Sequence, residues 1–392
     1  MIPDSLNVLI EQELSRLEDA RLLRTRRIVR PIDAVHVEID GRACTNFCSN
    51  DYLGLTHHPR VIEAVRDAAA KFGAGSGASP LISGYSPAHA AAESAVARWK
   101  STETAVVFPT GYQANLAAIQ TLAALGKLAP GGVRFLIDKL AHASLIDAVR
   151  GSGPPWRVFP HNSMAKLKRL LDEAENDQIQ VVVTESIFSM DGDEADLAAL
   201  NDLKKQREFV LLLDEAHASG VYGQNGAGLA AERGFAPMVD IFMVTFSKAL
   251  GCAGAAICAK ENFARAVSNF GRAYIYSTSI PPATAAGIEQ AISVLREEPD
   301  RQRRVRERSL AFRAALRAKK IAVSAGDSPV VPIILGSESA ALEMSARLLE
   351  KGFLVSAVRP PTVARGTSRL RVTLSCEHSE KEVDGLADAL TA

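Results

Sequence analysis

The 392-residue sequence has few of the residues that form disulfide frameworks or metal sites. It contains five cysteines, none of them in a C-x-x-C pair, and eight histidines. Cys44 and Cys48 are the closest pair, and no histidine near them completes a metal-binding spacing. An odd number of such cysteines is typical of a reducing compartment. We therefore expect a cytoplasmic protein with neither structural disulfides nor a bound metal.

The sequence also lacks an excess of charge and a long apolar run. Lysine plus arginine and aspartate plus glutamate number 45 each, so no overall field favours nucleic acid or a membrane surface. The basic runs at 21–30 and 301–308 are interpreted as solvated helix faces. A membrane-spanning helix needs about 20 consecutive apolar residues, and no stretch of the sequence is that long and apolar. Residues 1–20 are amphipathic and do not resemble a signal peptide. We expect no nucleic-acid partner, no membrane partner and no export.

What the sequence does contain is enough apolar content for a large core, with 47% hydrophobic and 23% charged residues. Short, continuous apolar runs alternate with longer helical patterns, as in sheets covered on both faces. This order predicts an α/β protein with a mainly parallel, doubly wound sheet. The predicted strands are residues 105–108, 134–138, 157–160, 181–186, 210–216, 241–246 and 255–259.

The two ends of the chain have different patterns from the middle. Residues 1–54 predict a helical arm followed by a short strand pair, and residues 55–284 form the predicted large domain. After "IYSTSIPPATAA", a long helical stretch leads to strands at 330–335 and 369–375 and to a final helix. This succession predicts a smaller C-terminal α/β domain over residues 285–392.

Chemically useful side chains follow the predicted strands, at the edge where open parallel sheets bind ligands. Lys248 follows the run 241–246, and lysine is rarely buried without a partner or a chemical task. We interpret it as a nucleophilic amine that holds a carbonyl cofactor as a Schiff base; the alternative is a strand end whose lysine reaches solvent. Asp214 ends another apolar run and needs a cationic or donor partner, such as a protonated heterocyclic nitrogen.

A further segment, "FPTGYQANLAA", places Gly111 where a strand meets a helix and free N–H groups can bind phosphate. An ordinary βα turn is the alternative interpretation. The glycine-rich residues 73–79 follow a helical pattern and are interpreted as a flexible loop. Together these groups indicate pyridoxal 5′-phosphate, PLP. They offer an anchor for its phosphate, an imidazole for its ring face, a carboxylate for its pyridinium nitrogen and a lysine for its aldehyde.

Several motifs occur in one order along the chain. They are "FCSNDYLGL" (47–55), "SGYSPAH" (83–89), "TGYQAN" (110–115), "AHASL" (141–145), "TESIFSMDGD" (184–193), "LDEAHASGVYG" (213–223), "TFSKALG" (245–251), "YSTSIPP" (276–282) and "RPPTVARGTSRLR" (359–371). On these motifs the chain resembles the α-oxoamine synthase family of PLP enzymes over nearly its whole length. The resemblance implies the PLP-dependent transferase fold type I, as in aspartate aminotransferase, and a homodimer.

The resemblance also implies a reaction, the decarboxylative condensation of an amino acid with an acyl thioester. L-alanine and a pimeloyl thioester of coenzyme A or of a carrier protein are the expected small-molecule substrates. The alternative within the family is a glycine-using member, a glycine C-acetyltransferase or a 5-aminolevulinate synthase. Outside it, a nicotinamide-dependent dehydrogenase would need a glycine-rich strand-to-helix turn with an acid about 20 residues later, which is not found. The retained Lys248 disfavours a non-catalytic binding protein.

The resemblance further implies residue roles. Lys248 would hold the cofactor aldehyde, Asp214 the pyridinium nitrogen and His217 the ring oxygen. His142 would stack on the ring. The other implied cofactor contacts are Gly111, Tyr112, Ser189 and Thr245, with Ser277 and Thr278 reaching the phosphate from the neighbouring subunit. The implied substrate contacts are Arg24, Asn50, Arg359 and Thr362, with Arg359 pairing to the amino-acid carboxylate as a bidentate fork.

Ser79 is the implied determinant of the amino-acid substrate. Glycine-specific 5-aminolevulinate synthases carry threonine at the aligned position, where the extra methyl would crowd the Cα substituent of alanine. Ser79 leaves that room, although it could instead merely cap a turn. Two positions depart from the family pattern: Pro80 stands where arginine is expected, and Ser247 where glycine is more frequent.

Overall fold

The structure, a computed structural model, describes residues 2–175 and 177–391. These residues form two compact units. The larger unit comprises residues 50–189 and 193–306, and the smaller one comprises the chain up to Ser49, residues 190–192 and the chain from Glu307 onward. The domain boundaries expected after residues 54 and 284 stay a prediction.

Strands and helices alternate through most of the described chain. The strands are Arg30–Pro31 (β1), His36–Ile39 (β2), Arg42–Asn46 (β3), Thr104–Phe108 (β4), Val133–Asp138 (β5), Trp156–Phe159 (β6), Ile179–Glu185 (β7), Val210–Asp214 (β8), Ile241–Thr245 (β9), Ala255–Ala259 (β10), Val330–Gly336 (β11), Phe353–Leu354 (β12), Ser356–Val358 (β13) and Ser368–Thr373 (β14). The α-helices are Asp4–Asp19 (α1), Pro59–Phe72 (α2), Pro87–Lys100 (α3), Gly111–Gly126 (α4), Ala143–Ser152 (α5), Met164–Asp172 (α6), Leu197–Gln206 (α7), Leu229–Glu232 (α8), Glu261–Phe270 (α9), Arg272–Ile275 (α10), Pro282–Glu297 (α11), Asp300–Ala318 (α12), Glu338–Glu350 (α13) and Glu380–Ala389 (α14).

A seven-stranded sheet in the order β4-β10-β9-β8-β7-β5-β6 forms the centre of the larger unit. Every residue of β5, β9 and β10 is buried, which explains the nearly continuous apolar sequences of β9 and β10. The pairs from β9 through β6 are parallel, and β10 is antiparallel to both neighbours. The predicted mainly parallel sheet is thereby confirmed. Because β4 and β9 both oppose β10, six strands end at the same edge.

The antiparallel β10 follows from the length of its connection. Only residues 246–254 join β9 to β10, whereas a parallel crossover needs a dozen residues or more. The chain therefore returns beside β9 in the opposite direction. The apolar runs by themselves do not distinguish the two directions.

Helix α4 packs closely on the sheet of the larger unit. Its alanines Ala114, Ala117 and Ala118 are wholly buried in the main core cluster. At the end of the helix, a Cβ on Gly126 would lie only 2.3 Å from Cγ1 of Val133, so glycine is required where α4 meets β5. Small side chains thus bring the start of α4 close to the sheet edge.

The smaller unit contains two sheets. One has the order β1-β2-β3-β12, and the other has the order β11-β14-β13. The first sheet has its own small core around Val37, Ile39 and Cys44. Helix α1 contains no buried residue. Among the described residues, no helix is long and apolar enough to cross a membrane.

Candidate active site

A cavity of about 210 Å³ lies in the larger unit, where β7, β8 and β9 end and where α4 and α5 begin. Most of the residues predicted to bind the cofactor line it. These are Gly111, Tyr112, His142, Asp214, His217, Thr245 and Lys248. The cavity also contains lining residues to which the sequence analysis gave no role, namely Ser144, Glu185, Ala216, Met243 and Ser247.

Asp214 is a buried acid, 3% exposed, at the end of β8. Its Oδ1 accepts a hydrogen bond from the backbone N–H of Ala216 at 2.9 Å, and its Oδ2 accepts one from Nδ2 of Asn115 at 3.1 Å. No ion pair among the described residues includes Asp214. A buried carboxylate that is oriented by neutral donors is suited to bind a cationic group in the cavity.

His142 occupies the N-cap of α5, with its ring exposed to the cavity. Its Nδ1 accepts a hydrogen bond from the backbone N–H of Ser144 at 3.2 Å, so a neutral ring carries its proton on Nε2. Partial desolvation lowers the pKa of His142; the charge of Asp214 opposes this effect and that of Lys248 reinforces it. The neutral form of the His142 ring is therefore favoured.

His217 is buried and is oriented by Tyr52. The distance between His217 Nδ1 and the Tyr52 hydroxyl is 2.6 Å, and Tyr52 itself is 0% exposed. The same hydroxyl donates to Oδ1 of Asn50 at 3.3 Å. A predicted substrate residue and a predicted cofactor residue are thus connected through one tyrosine that the sequence analysis did not assign.

Lys248 is half-buried in the turn after β9. Its backbone carbonyl accepts a hydrogen bond from the N–H of Gly251 at 3.0 Å. Gly251 has φ +65°, and a Cβ there would lie 2.4 Å from the backbone nitrogen of Thr56. The small residues after Lys248 therefore permit a close approach of two backbone segments, which holds the lysine at the cavity.

The N-terminus of α4 forms another wall of the cavity. Thr110 is its N-cap, and its side chain accepts a hydrogen bond from the N–H of Gln113 at 3.2 Å. Gly111 and Tyr112, the first two residues of this 16-residue helix, line the cavity. The positive end of the helix dipole makes this wall suitable for an anion such as phosphate.

Other predicted site residues lie outside the lining of this cavity. Ser189 is buried beyond the end of β7, and Ser277 accepts a hydrogen bond from Gln113 Nε2 at 2.9 Å. Thr278 is exposed. Ser79 is half-buried in a turn, where its backbone carbonyl accepts hydrogen bonds from the N–H groups of Ile82 and Gly84 at 3.1 and 3.0 Å. The roles of these residues stay predictions.

Three further predicted substrate residues, Arg24, Arg359 and Thr362, belong to the smaller unit. Arg24 donates to the carbonyl of Pro360 at 3.0 Å, and Arg359 donates to the carbonyl of Arg21. Partial burial lowers the pKa of Arg359, and the nearby charge of Arg24 adds to this effect. The two guanidinium groups are thus near each other within this unit.

Residues 42–390 match the family Aminotransferase class I and II, and the chain belongs to this family of PLP-dependent enzymes. It is 41% identical to the 8-amino-7-oxononanoate synthase of Methylococcus capsulatus over 380 residues, 96% of each chain. A serine palmitoyltransferase from S. paucimobilis with bound PLP and myriocin has a TM-score of 0.91, at 28% identity, covering 100% of this chain and 98% of that one. The 8-amino-7-oxononanoate synthase from Francisella tularensis has a TM-score of 0.75, at 26% identity, covering 89% and 97%. The predicted fold type and cofactor are confirmed.

Two buried polar residues beside the cavity, Asn115 and Tyr52, were not predicted from the sequence. Asn115 is wholly buried, and its Nδ2 donates both to Asp214 and, at 2.9 Å, to Ser144 Oγ. Asn115 and Tyr52 lie inside the motifs "TGYQAN" and "FCSNDYLGL", which do not indicate the hydrogen-bond partners of these two side chains. A polar residue inside an apolar helix needs a buried partner, which was the available signal.

Proposed function

We propose that this protein condenses L-alanine with a pimeloyl thioester, releasing CO2 and the free thiol and forming 8-amino-7-oxononanoate for biotin synthesis. The observation that carries the proposal is the meeting of Lys248, Asp214, His142 and His217 in one cavity. The identity of about two residues in five with the Methylococcus capsulatus synthase, over almost the whole of both chains, supports the choice of reaction.

The residues of the cavity fit PLP. Asp214 has hydrogen-bond donors but no ion-pair partner in the described parts of the chain, which suits a protonated ring nitrogen. The start of α4 suits the phosphate, and the Lys248 amine suits the aldehyde. His142 would lie against the ring and His217 would hydrogen-bond its oxygen.

When bound, PLP supplies an electron sink that stabilises negative charge at Cα of the amino acid. Lys248, as a neutral amine, accepts the Cα proton and later returns a proton to the product. Asp214, oriented by Asn115 and by the N–H of Ala216, would hold the protonated ring nitrogen. The neutral ring of His142 excludes water from one side of the cavity.

The substrate contacts remain part of the proposal. Arg359 would bind the amino-acid carboxylate through its planar guanidinium, with Arg24 and Thr362 as further contacts. Asn50 would contact the substrate while Tyr52 connects it to His217. Ser189 and Thr245 would complete the cofactor contacts within the subunit.

We also propose a homodimer in which Ser277 and Thr278 reach the phosphate of the neighbouring subunit. In support, helix α1 buries no residue and exposes Leu6, Leu9 and Leu14 by 46%, 61% and 42%. Apolar groups of this kind are commonly covered by a partner. Light scattering should show a dimer, and a monomer with full turnover would contradict the proposal.

A product assay with matched substrate pairs tests the function. Alanine with pimeloyl-coenzyme A or a pimeloyl carrier protein should give the highest kcat/KM. Comparison pairs are glycine with acetyl-coenzyme A, glycine with succinyl-coenzyme A, and serine with palmitoyl-coenzyme A. Borohydride should fix PLP on Lys248. A higher kcat/KM for any comparison pair, or labelling of another lysine, would overturn the assignment.

The preference for alanine should depend on Ser79. Ser79→Thr should shift the alanine-to-glycine ratio of kcat/KM toward glycine, because the added methyl crowds the alanine side chain. The shift should lie between about tenfold and about two-hundredfold, the worth of one methyl group. Ser79→Ala, which removes the hydroxyl without adding a methyl, is the control and should leave the ratio unchanged. If Ser79→Thr leaves the alanine-to-glycine ratio of kcat/KM unchanged, Ser79 only stabilises the turn and does not select the substrate.

A further inference from the structure

Glu185 is a buried acid of the cavity that the proposed mechanism does not use. It is the last residue of β7 and is paired in register with Asp214, the last residue of β8. Paired residues on adjacent parallel strands point to the same face of the sheet, so the two carboxyl groups are neighbours. Glu185 is 2% exposed and lines the same cavity as Lys248 and His142.

One oxygen of Glu185 lacks a hydrogen-bond partner. Its Oε1 is buried, and no described residue donates to it or accepts from it. Two other glutamates of the larger unit, the buried Glu215 and the half-buried Glu93, differ in this respect. Glu215 is bonded by Lys100 and by the N–H of Ala230, and Glu93 by the Tyr85 hydroxyl and by the N–H of Val107.

The surroundings of Glu185 favour its neutral form. Burial raises the pKa of Glu185 well above its ordinary value, and the charge of Asp214 raises it further. Lys248 and the approaching backbone N–H of His142 oppose these effects, and Asp138 adds a smaller upward effect. Two carboxyl groups that share a buried site do not both ionise readily. A neutral carboxyl can donate as well as accept a hydrogen bond.

We propose that Glu185 is a further cofactor-binding residue, a neutral carboxylic acid beside Asp214 whose unpartnered Oε1 hydrogen-bonds the molecule in the cavity. This inference rests on the proposed function, because it requires PLP in this cavity. An unpartnered buried oxygen that lines a ligand cavity is completed by the ligand. The cavity then contributes one negative charge rather than two.

The test compares Glu185→Gln, Glu185→Leu and the wild type, with Glu93→Gln and Glu93→Leu as controls at a half-buried acid that does not line the cavity. PLP affinity is measured by equilibrium titration of the apoproteins. Glutamine preserves a neutral donor and acceptor, so Glu185→Gln should bind PLP within about threefold of the wild type, whereas Glu185→Leu should bind about tenfold or more weakly. The two Glu93 variants should bind PLP as the wild type does.

Infrared spectroscopy gives a second measurement that is independent of activity. The wild-type apoprotein at neutral pH should show a protonated-carboxyl carbonyl band that is lost in Glu185→Gln, is retained in Glu93→Gln, and shifts when PLP binds. If no such band is lost in Glu185→Gln, or if Glu185→Leu binds PLP as tightly as the wild type, the inference is wrong. If Glu185→Leu does not fold, the Glu185→Gln spectra decide. Failure of the wild type to bind PLP would instead refute the proposed function.

Discussion

Asp214 and Glu215 are adjacent buried acids. Glu215 forms an ion pair, and Asp214 forms none among the described residues. Glu215, 0% exposed, forms a 2.5 Å ion pair with Nζ of Lys100. That ammonium also donates to the carbonyl of Ala227 and lies 4.7 Å from the centre of the Phe242 ring. Asp214 faces a cavity, and the hydrogen-bond donors to it among the described residues are the neutral side chain of Asn115 and the backbone N–H of Ala216. Glu215 is thus paired with a cation of the chain, whereas the proposed role of Asp214 is to pair with a cationic group of the cofactor.

The difference between these acids has a simple geometric cause. Successive residues at the end of a strand point to opposite sides of the sheet. Asp214 ends β8 on the side of α4, where Asn115 reaches it, and Glu215 turns toward Lys100, the last residue of α3. Two consecutive residues therefore differ in that Glu215 forms an ion pair in the interior and Asp214 lines the cavity.

The largest expected effect on kcat is that of replacing Lys248, whereas replacing Lys100 should affect stability. Lys248→Ala should lower kcat on the order of 10³-fold or more, because the same amine accepts and returns the proton. The melting temperature of the apoprotein should change little, since Lys248 is only half-buried. Lys248→Arg, which keeps the charge without a comparable base, is the control and should be equally inactive. Substantial turnover by either variant would remove Lys248 from the mechanism.

Asp214→Asn should lower kcat/KM on the order of 10²-fold, because the neutral amide no longer keeps the ring nitrogen protonated. The apoprotein should be at least as stable as the wild type, because a buried charge without an ion-pair partner is removed. Steady-state kinetics and thermal unfolding measure the two effects. Asp214→Glu retains the charge and is the matched control. An Asp214→Asn variant with the kcat/KM of the wild type would show that Asp214, like Glu215, is not needed for the reaction.

Lys100→Met should affect stability rather than chemistry. It leaves Glu215 buried without its cation, and loss of one partner of a buried pair lowers the free energy of unfolding by about 3–5 kcal/mol. The double variant Lys100→Met/Glu215→Gln should recover much of this loss, because the uncompensated charge is gone while an acceptor for Ala230 remains. Denaturant unfolding of the apoproteins measures both. A single variant as stable as the wild type would show that the pair contributes no net stability.

Asp138 is intermediate between Asp214 and Glu215, because its partner is a histidine that loses its positive charge when the pH rises. His161 contacts Asp138 at 3.1 Å and Asp193 at 2.7 Å. Burial lowers the pKa of His161, but these two acids outweigh it and raise the pKa to about 10 from an ordinary value of 6.5. The stabilisation is thus complete below about pH 6.5 and is lost as the pH rises toward about 10. It should amount to about 1–3 kcal/mol.

Denaturant unfolding between pH 6 and pH 10 checks this prediction. The free energy of unfolding of the wild type should fall across the window by more than that of His161→Gln, which has no titrating ring. Asn162→Ala, next to the histidine, retains the titration and is the matched control. Parallel pH curves for the wild type and His161→Gln would contradict the assigned charge on His161.

The sequence alone determined the fold class and the chemical groups of the site. Continuous apolar runs marked the strands of the large sheet, and residues 255–259 agree with β10 at both ends. That Lys248 and Asp214 lie at the sheet edge could be predicted because Asp214 ends an apolar run, Lys248 follows one, and both carry groups that are expensive to bury. These signals are local, since a buried strand needs apolar residues on both faces and its polar end is visible in the sequence.

Only the tertiary structure decided which polar groups meet. Asn115 and Asp214 are 99 positions apart, and Tyr52 and His217 are 165 apart. The direction of β10, the pairing of Glu215 with Lys100 and the register that places Glu185 beside Asp214 likewise arise from strand order and side-chain direction. The physical reason is that hydrogen bonds and ion pairs depend on distance in space, and composition and periodicity report only the face on which a residue lies.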